Sequence, residues 1–258
     1  MELNTLLQYK PYSTARPEKR ALYAGLLTEL TQFHRERCPE YGRLLDALGC
    51  PAHMDCTVEN TPMLPVSLFK ELELRSIPEG EVFKTITSSG TTGQRVSRIF
   101  LDGATSACQQ QALCQIMSDF LGERRLPFLV LDSRQVLRNR AMFSARGAGI
   151  LGFSIFGTRP CYALDEHMEL DLDGVRAFLE EHQGETIFLF GFTFMIWKHV
   201  VRALEERGER LDIPNGILVH GGGWKKLAGE AVSPGEFKAR VAAATGVERV
   251  SNYYGMAE

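Results

Sequence analysis

The residues best suited to chemistry lie in three short stretches. The first runs Thr87-Ser88-Ser89-Gly90-Thr91-Thr92-Gly93, directly after the β-branched residues Thr85 and Ile86. Ser88, Ser89, Thr91 and Thr92 carry donor hydroxyls. Gly90 and Gly93 free the backbone for positive φ and for close approach to a ligand. Successive N–H groups in such a loop form a concave anion site. Each hydrogen bond to a charged phosphate oxygen contributes about 1.5–3 kcal/mol. A phosphate cradle and an ordinary polar turn fit these residues about equally. The loop lacks the Lys of G-x-x-x-x-G-K-[ST], since Gln94 and Arg95 follow Gly93, and it is not G-x-G-x-x-G.

The second stretch is His220-Gly221-Gly222-Gly223-Trp224-Lys225-Lys226. A run of three glycines lets backbone approach a flat ring. It also matches the oxyanion-hole run of some esterases. That fold needs a G-x-S-x-G nucleophile elbow as well, and the chain has none. Lys225 and Lys226 can neutralise phosphate or carboxylate charge, or stand as solvated surface charges. The third stretch is Asn252-Tyr253-Tyr254-Gly255-Met256-Ala257-Glu258, an aromatic–glycine pair ahead of a carboxylate.

The six cysteines form no C-x-x-C, and no His stands at zinc-finger spacing from a pair of them. They read as reduced thiols, and the N-terminus has no basic segment leading into an apolar core. The expected location is cytoplasmic. A net charge of −3 gives no case for nucleic acid, and no apolar run reaches membrane-spanning length.

The elements that must position these stretches follow from periodicity. Leu22, Leu26, Leu27, Leu30 and Phe33 predict a helix over 17–37, and Pro39 ends it. A second helix spans 41–48 and stops at Gly49. Pro62 and Pro65 hold an extended piece, after which Ser67 opens a short helix to Leu72. Strands are expected over 81–87 and 95–101, paired as a hairpin around the first loop. A helix follows over 104–121.

Leu126 to Leu131 is a near-continuous apolar run, typical of a buried parallel strand, with Asp132 and Ser133 at its carboxyl end. The glycine-interrupted segment 139–151 has no clear period. Short strands are expected over 152–156 and 159–164, then helix 171–182, strand 186–190, an apolar helix to about Arg207, strand 216–219, helix 234–245 and strand 248–251. Strand–helix alternation of this kind predicts an α/β fold with a mostly parallel sheet flanked by helices. Ligands on such sheets bind beyond the carboxyl ends of the strands. Thr193, Trp224 and Glu258 all follow predicted strands.

With the order and spacing of the three stretches in place, a resemblance emerges. Ser88 to Gly93 is similar to the phosphate loop of adenylate-forming enzymes, the acyl- and aryl-CoA ligase superfamily. The G-G-G-W-K run resembles its adenine-facing turn in the acyl-protein synthetase branch. The last seven residues resemble its N-x-Y-G-x-T-E element. Leu64-Pro65-Val66-Ser67-Leu68-Phe69-Lys70 and Phe190-Gly191-Phe192-Thr193-Phe194 strengthen the match. Over about 60–258 the sequence resembles the LuxE-like long-chain-fatty-acid–protein ligases, with phenylacetate–CoA ligase-like enzymes next in pattern.

That resemblance implies an N-terminal helical segment over 1–60 and an adenylate-forming core over 61–258. It implies ATP and Mg²⁺ as cofactors, a small carboxylic acid (a fatty acid in this branch) as substrate, and an acyl-donor or acyl-acceptor protein as partner. Ser88, Ser89, Gly90, Thr91, Thr92 and Gly93 would hold phosphates, with Thr91 and Lys225 in the catalytic role. Gly221, Gly222, Gly223, Trp224, Asn252, Tyr254 and Gly255 would hold the nucleoside, Tyr254 stacking on adenine. Phe192 and Thr193 would meet the acid, although several of the neighbouring aromatics fit a strand–helix core equally well. Glu258 would hold the metal. Ala257 replaces the usual Thr and removes one phosphate contact. In the family a lid domain with a catalytic Lys follows this point, so the expectation is a chain truncated before its lid.

Overall fold

The structure is a computed structural model that describes residues 3–88, 95–137 and 145–255. Contacts divide it into two units, one running to Asp119 and one of Phe120–Gly255.

In the first unit, α1 (Arg16–Arg37) begins with Pro17 in its first turn, where the missing N–H costs nothing. Arg35 and Arg37 lie in its last turn, where positive charge is favoured. Cys38 breaks the helix, and α2 (Pro39–Ala47) starts at the next residue. Gly49 takes φ of 71°, the left-handed conformation that halts it. After α3 (Leu68–Glu71), strands β1 (Lys84–Thr87) and β2 (Arg98–Leu101) pair antiparallel, Thr87 opposite Arg98. Ser88 extends the pairing. Its N–H donates to the Ser97 carbonyl, and its Oγ accepts from the Ser97 N–H at 3.0 Å. Helix α4 (Gly103–Leu121) follows.

The second unit is a five-stranded, all-parallel sheet: β3 (Leu126–Ser133), β4 (Gly157–Leu164), β5 (Ile187–Phe192), β6 (Gly216–Gly221) and β7 (Arg249–Tyr253). The spatial order is β4-β3-β5-β6-β7. The chain therefore steps outward from β3 to β4, then returns across β3 to lay down β5. The order reverses between β3 and β5.

Apolar residues on both faces of each strand explain why the sheet is covered on both sides. On one face Phe128 stacks on Phe188 at 4.9 Å, and Phe153 of α5 (Ala145–Phe153) stacks on Phe190 at 4.3 Å. On the other, Leu129, Leu131 and Leu189 pack with Trp197, Val200, Phe237 and Val241. That face is covered by α6 (Leu172–Glu181), by α7 (Thr193–Ile196) continuing through a π turn into α8 (Arg202–Arg207), and by α9 (Pro234–Thr245). Burying each such side chain contributes about 1.5–3 kcal/mol.

One expected element is different. Residues 152–156 are not a strand: Gly152 and Phe153 finish α5, and Ser154–Phe156 is a 3₁₀ turn. Ile150 and Phe153 are both buried, so the three-residue helical spacing overrides the short alternation of Phe153, Ile155 and their neighbours. Elsewhere the expected helices and strands appear with ends shifted by a few residues. No described helix is long and apolar enough to cross a membrane.

Candidate functional site

Three strand ends lie side by side in the second unit. Phe192 is in register with Gly221, and Gly221 with Tyr253. Beyond them the chain turns at Gly222, whose φ is 72°. A Cβ on Gly222 would stand 2.9 Å from Phe192 Cδ1, and one on Gly221 would stand 3.2 Å from the Tyr253 carbonyl oxygen. Gly222 therefore requires glycine for conformation as well as space, and at Gly221 a side chain would have to push the Tyr253 carbonyl back by a few tenths of an ångström. Gly223 has open space around it.

A buried hydroxyl fastens this turn. Thr193 and His220 are each 5% exposed. Thr193 Oγ1 lies 2.9 Å from His220 Nδ1, 3.0 Å from the Gly222 carbonyl oxygen and 3.2 Å from that of Gly221. A hydroxyl has one proton to give, and carbonyls only accept. His220 Nδ1–H therefore donates to Thr193, and Thr193 donates to the turn. Burial, then the Lys238 cation, pushes the imidazole pKa down to about 4, so the ring is neutral at pH 7. Phe237 lies 4.6 Å from it, centroid to centroid.

The remaining expected residues fall as follows. Phe192 is half-buried, wedged between Gly222 and Gly149 of α5, where an added Cβ would come within 3.0 Å of its ring. Trp224 turns inward and meets Trp197 edge-on at 5.3 Å. Asn252 is exposed on β7, and Tyr254 is 81% exposed just past its end. A Cβ on Gly255 would stand 3.0 Å from the Tyr253 hydroxyl. Lys225 opens a 3₁₀ turn, Lys225–Glu230, after the glycines. Ser88 Oγ accepts from the Ser97 N–H and keeps its own proton to donate. Ser89, Gly90, Thr91, Thr92, Gly93 and Glu258 lie outside the described residues. Among the described residues no group of three or more His, Cys, Asp or Glu side chains is placed to hold a metal ion.

Sequence reasoning placed Asp132 at a strand end but gave it no partner. Its carboxylate is fully buried. One oxygen accepts from the Ser133 N–H at 2.7 Å, and the other lies 3.1 Å from Arg146 Nε. Burial raises the Asp132 pKa and the Arg146 charge opposes that rise. Arg146 belongs to α5, the segment whose period could not be read. A lone Asp closing an apolar run was the available signal.

The family described as LuxE, acyl-protein synthetase, matches residues 2–258. The chain belongs to the LuxE family. No curated protein matches it by sequence. Among solved structures, LuxE-family residues here superpose on 2-hydroxyisobutyryl-CoA ligase in an open conformation with 2-HIB-AMP and CoA. That match has a TM-score of 0.61 and 17% identity, over 97% of this chain and 55% of the ligase. The same ligase in its thioesterification state, also with 2-HIB-AMP and CoA, gives a TM-score of 0.62 and 19% identity over 95% and 50%. The fold is thus that of the N-terminal part of adenylate-forming ligases, and this LuxE-family chain spans about half the length of those structures.

Proposed function

We propose that this chain serves the ATP-dependent activation of a carboxylic acid, in this family a fatty acid, as an acyl-adenylate for transfer to a thiol. The observation that carries the reading is the Gly221-Gly222 turn. Phe192 and the positive φ exclude a side chain at Gly222, Thr193 and His220 fasten the turn, and exposed Tyr254 follows the next strand end. That is a surface on which a flat base can lie. Family membership supports assigning it adenine.

In this reading Gly221, Gly222, Gly223, Trp224, Asn252, Tyr254 and Gly255 serve the nucleoside. Ser88 to Gly93 serve the phosphates, and Thr91 and Lys225 manage charge where the acid attacks. Glu258 is assigned to Mg²⁺, a hard cation suited to carboxylate and phosphate oxygens, which offsets the repulsion between two anions when bound. No general base is needed, because a carboxylic acid is already ionised at neutral pH.

The test is titration calorimetry with ATP and with AMP, on the wild-type chain and on Gly222→Val and Thr91→Val. Each substitution is expected to weaken nucleotide binding by about tenfold or more. Wild-type affinity in both variants would overturn the assignment. Hydroxylamine trapping with fatty and aromatic acids then identifies the acid, and CoA added in its place distinguishes a CoA ligase from a protein ligase.

A further inference from the structure

The sheet order reverses between β3 and β5, and crevices at such switch points are where open parallel sheets take ligands. A pair of charges among the described residues stands at this crevice. Asp132 is at the carboxyl end of β3. Arg146 reaches it from α5, and its Nη1 lies 3.4 Å from Sδ of Met195, in the helix that follows β5. The guanidinium therefore spans the gap between the two strands.

The two partners differ in exposure. The Asp132 side chain is 0% exposed and that of Arg146 is 25% exposed. At 3.1 Å the Nε–Oδ2 contact is a charge contact without hydrogen-bond alignment, and both atoms are left without a hydrogen-bond partner. The pair thus holds the cation at Nε, Nη1 gives one proton to Met195 Sδ, and the remaining protons of Nη1 and Nη2 are left for a ligand. Helix α5 presents Arg146, Gly149 and Phe153 at i, i+3 and i+7, the spacing of one helix face. Arg146 meets Asp132, Gly149 packs on Phe192, and Phe153 meets Phe190 and Tyr253. Three residues of helix rise about 4.5 Å, so Arg146 stands about one turn along α5 from Gly149, on which Phe192 packs.

We propose that Arg146, held by Asp132 at the β3–β5 switch point, receives the carboxylate of the acid substrate. A planar guanidinium matches a carboxylate with two parallel hydrogen bonds, and it stays charged at every working pH. Asp132 acts as a positioning residue at Nε, Met195 Sδ takes one Nη1 proton, and one proton each of Nη1 and Nη2 remains for the carboxylate. This inference rests on the proposed acid-activating reading and adds the group that would orient the acid.

The experiment is calorimetric titration of the full chain with acetate, hexanoate, decanoate and phenylacetate, with decan-1-ol and AMP as controls. Arg146→Gln alone would leave Asp132 as a buried, uncompensated charge and risk the fold. The decisive variant is therefore Asp132→Asn with Arg146→Gln, which removes both charges together. Its melting curve is recorded alongside. Expected is wild-type binding of at least one acid in preference to decan-1-ol. In the double variant that affinity falls about tenfold or more, the size of a lost charged hydrogen-bond pair, while AMP affinity is unchanged. Unchanged acid affinity in the double variant overturns the inference and leaves the proposed function standing. A wild-type chain that binds AMP but none of the acids also overturns it, with the nucleotide assignment intact. Absence of all binding removes both.

Discussion

Thr193 illustrates how much one hydroxyl can hold. It satisfies the Nδ1–H of a buried imidazole and a carbonyl of the turn at once. In Thr193→Val the shape stays and both polar partners lose their bond. The expected loss is about 1–3 kcal/mol of unfolding free energy for orphaned buried groups. Thr193→Ser keeps the hydroxyl and should lie within about 1 kcal/mol of wild type, the lost methyl being the only change. Denaturant melts of the two variants check this. A Val variant as stable as the Ser variant would mean that the hydroxyl holds nothing.

At the scale of elements, the glycines of α5 and β4 make opposite demands. A Cβ on Gly157 would stand 2.5 Å from Phe128 Cγ, at the start of β4 and beside the stacked Phe128–Phe188 pair. Gly157→Ala must displace the edge strand or the ring, at a cost of about 1–3 kcal/mol. Gly152 lies inside α5 with nothing within 4 Å of an added Cβ. Gly152→Ala should stabilise by up to about 1 kcal/mol, since alanine loses less backbone freedom in a helix. Thermal melts of the pair check both signs. Helix α9 shows the same economy at its ends: Ser233 Oγ accepts from the Glu236 N–H at 3.2 Å, and Gly246 takes φ of 75°.

At the scale of the whole molecule, His220 sets part of the acid sensitivity. Its pKa falls from 6.5 to about 4 on folding, because burial disfavours the charged ring. As pH drops below 6.5 the unfolded chain takes up a proton there and the folded chain does not. Stability is therefore full above that range and declines until about pH 4, by on the order of 3 kcal/mol. His34 and His199 are also shifted downward by burial and act in the same sense, while the raised Asp132 acts in the opposite one. His220→Asn keeps a donor in the Nδ1 position and removes the titration. Urea unfolding between pH 7 and about pH 4 should show a shallower decline for that variant, and identical slopes would discount His220.

By itself the sequence determined the fold class, the run of parallel strands and the position of the glycine turn. Those properties are local. Apolar runs such as 126–131 and 187–190 suit strands buried on both faces, and caps at Asp171, Ser233 and Gly246 depend on residues within one turn of each other. Phe192 and Thr193 were legible as strand-end residues for the same reason. What only the tertiary structure decided depends on pairs far apart in the chain. That Thr193 meets His220 and not solvent, that Asp132 meets Arg146, and that 145–153 coils against β5 all follow from the strand order β4-β3-β5-β6-β7. No periodicity carries that order, because packing across the sheet selects which strand ends become neighbours and which polar groups must be paired once water is gone.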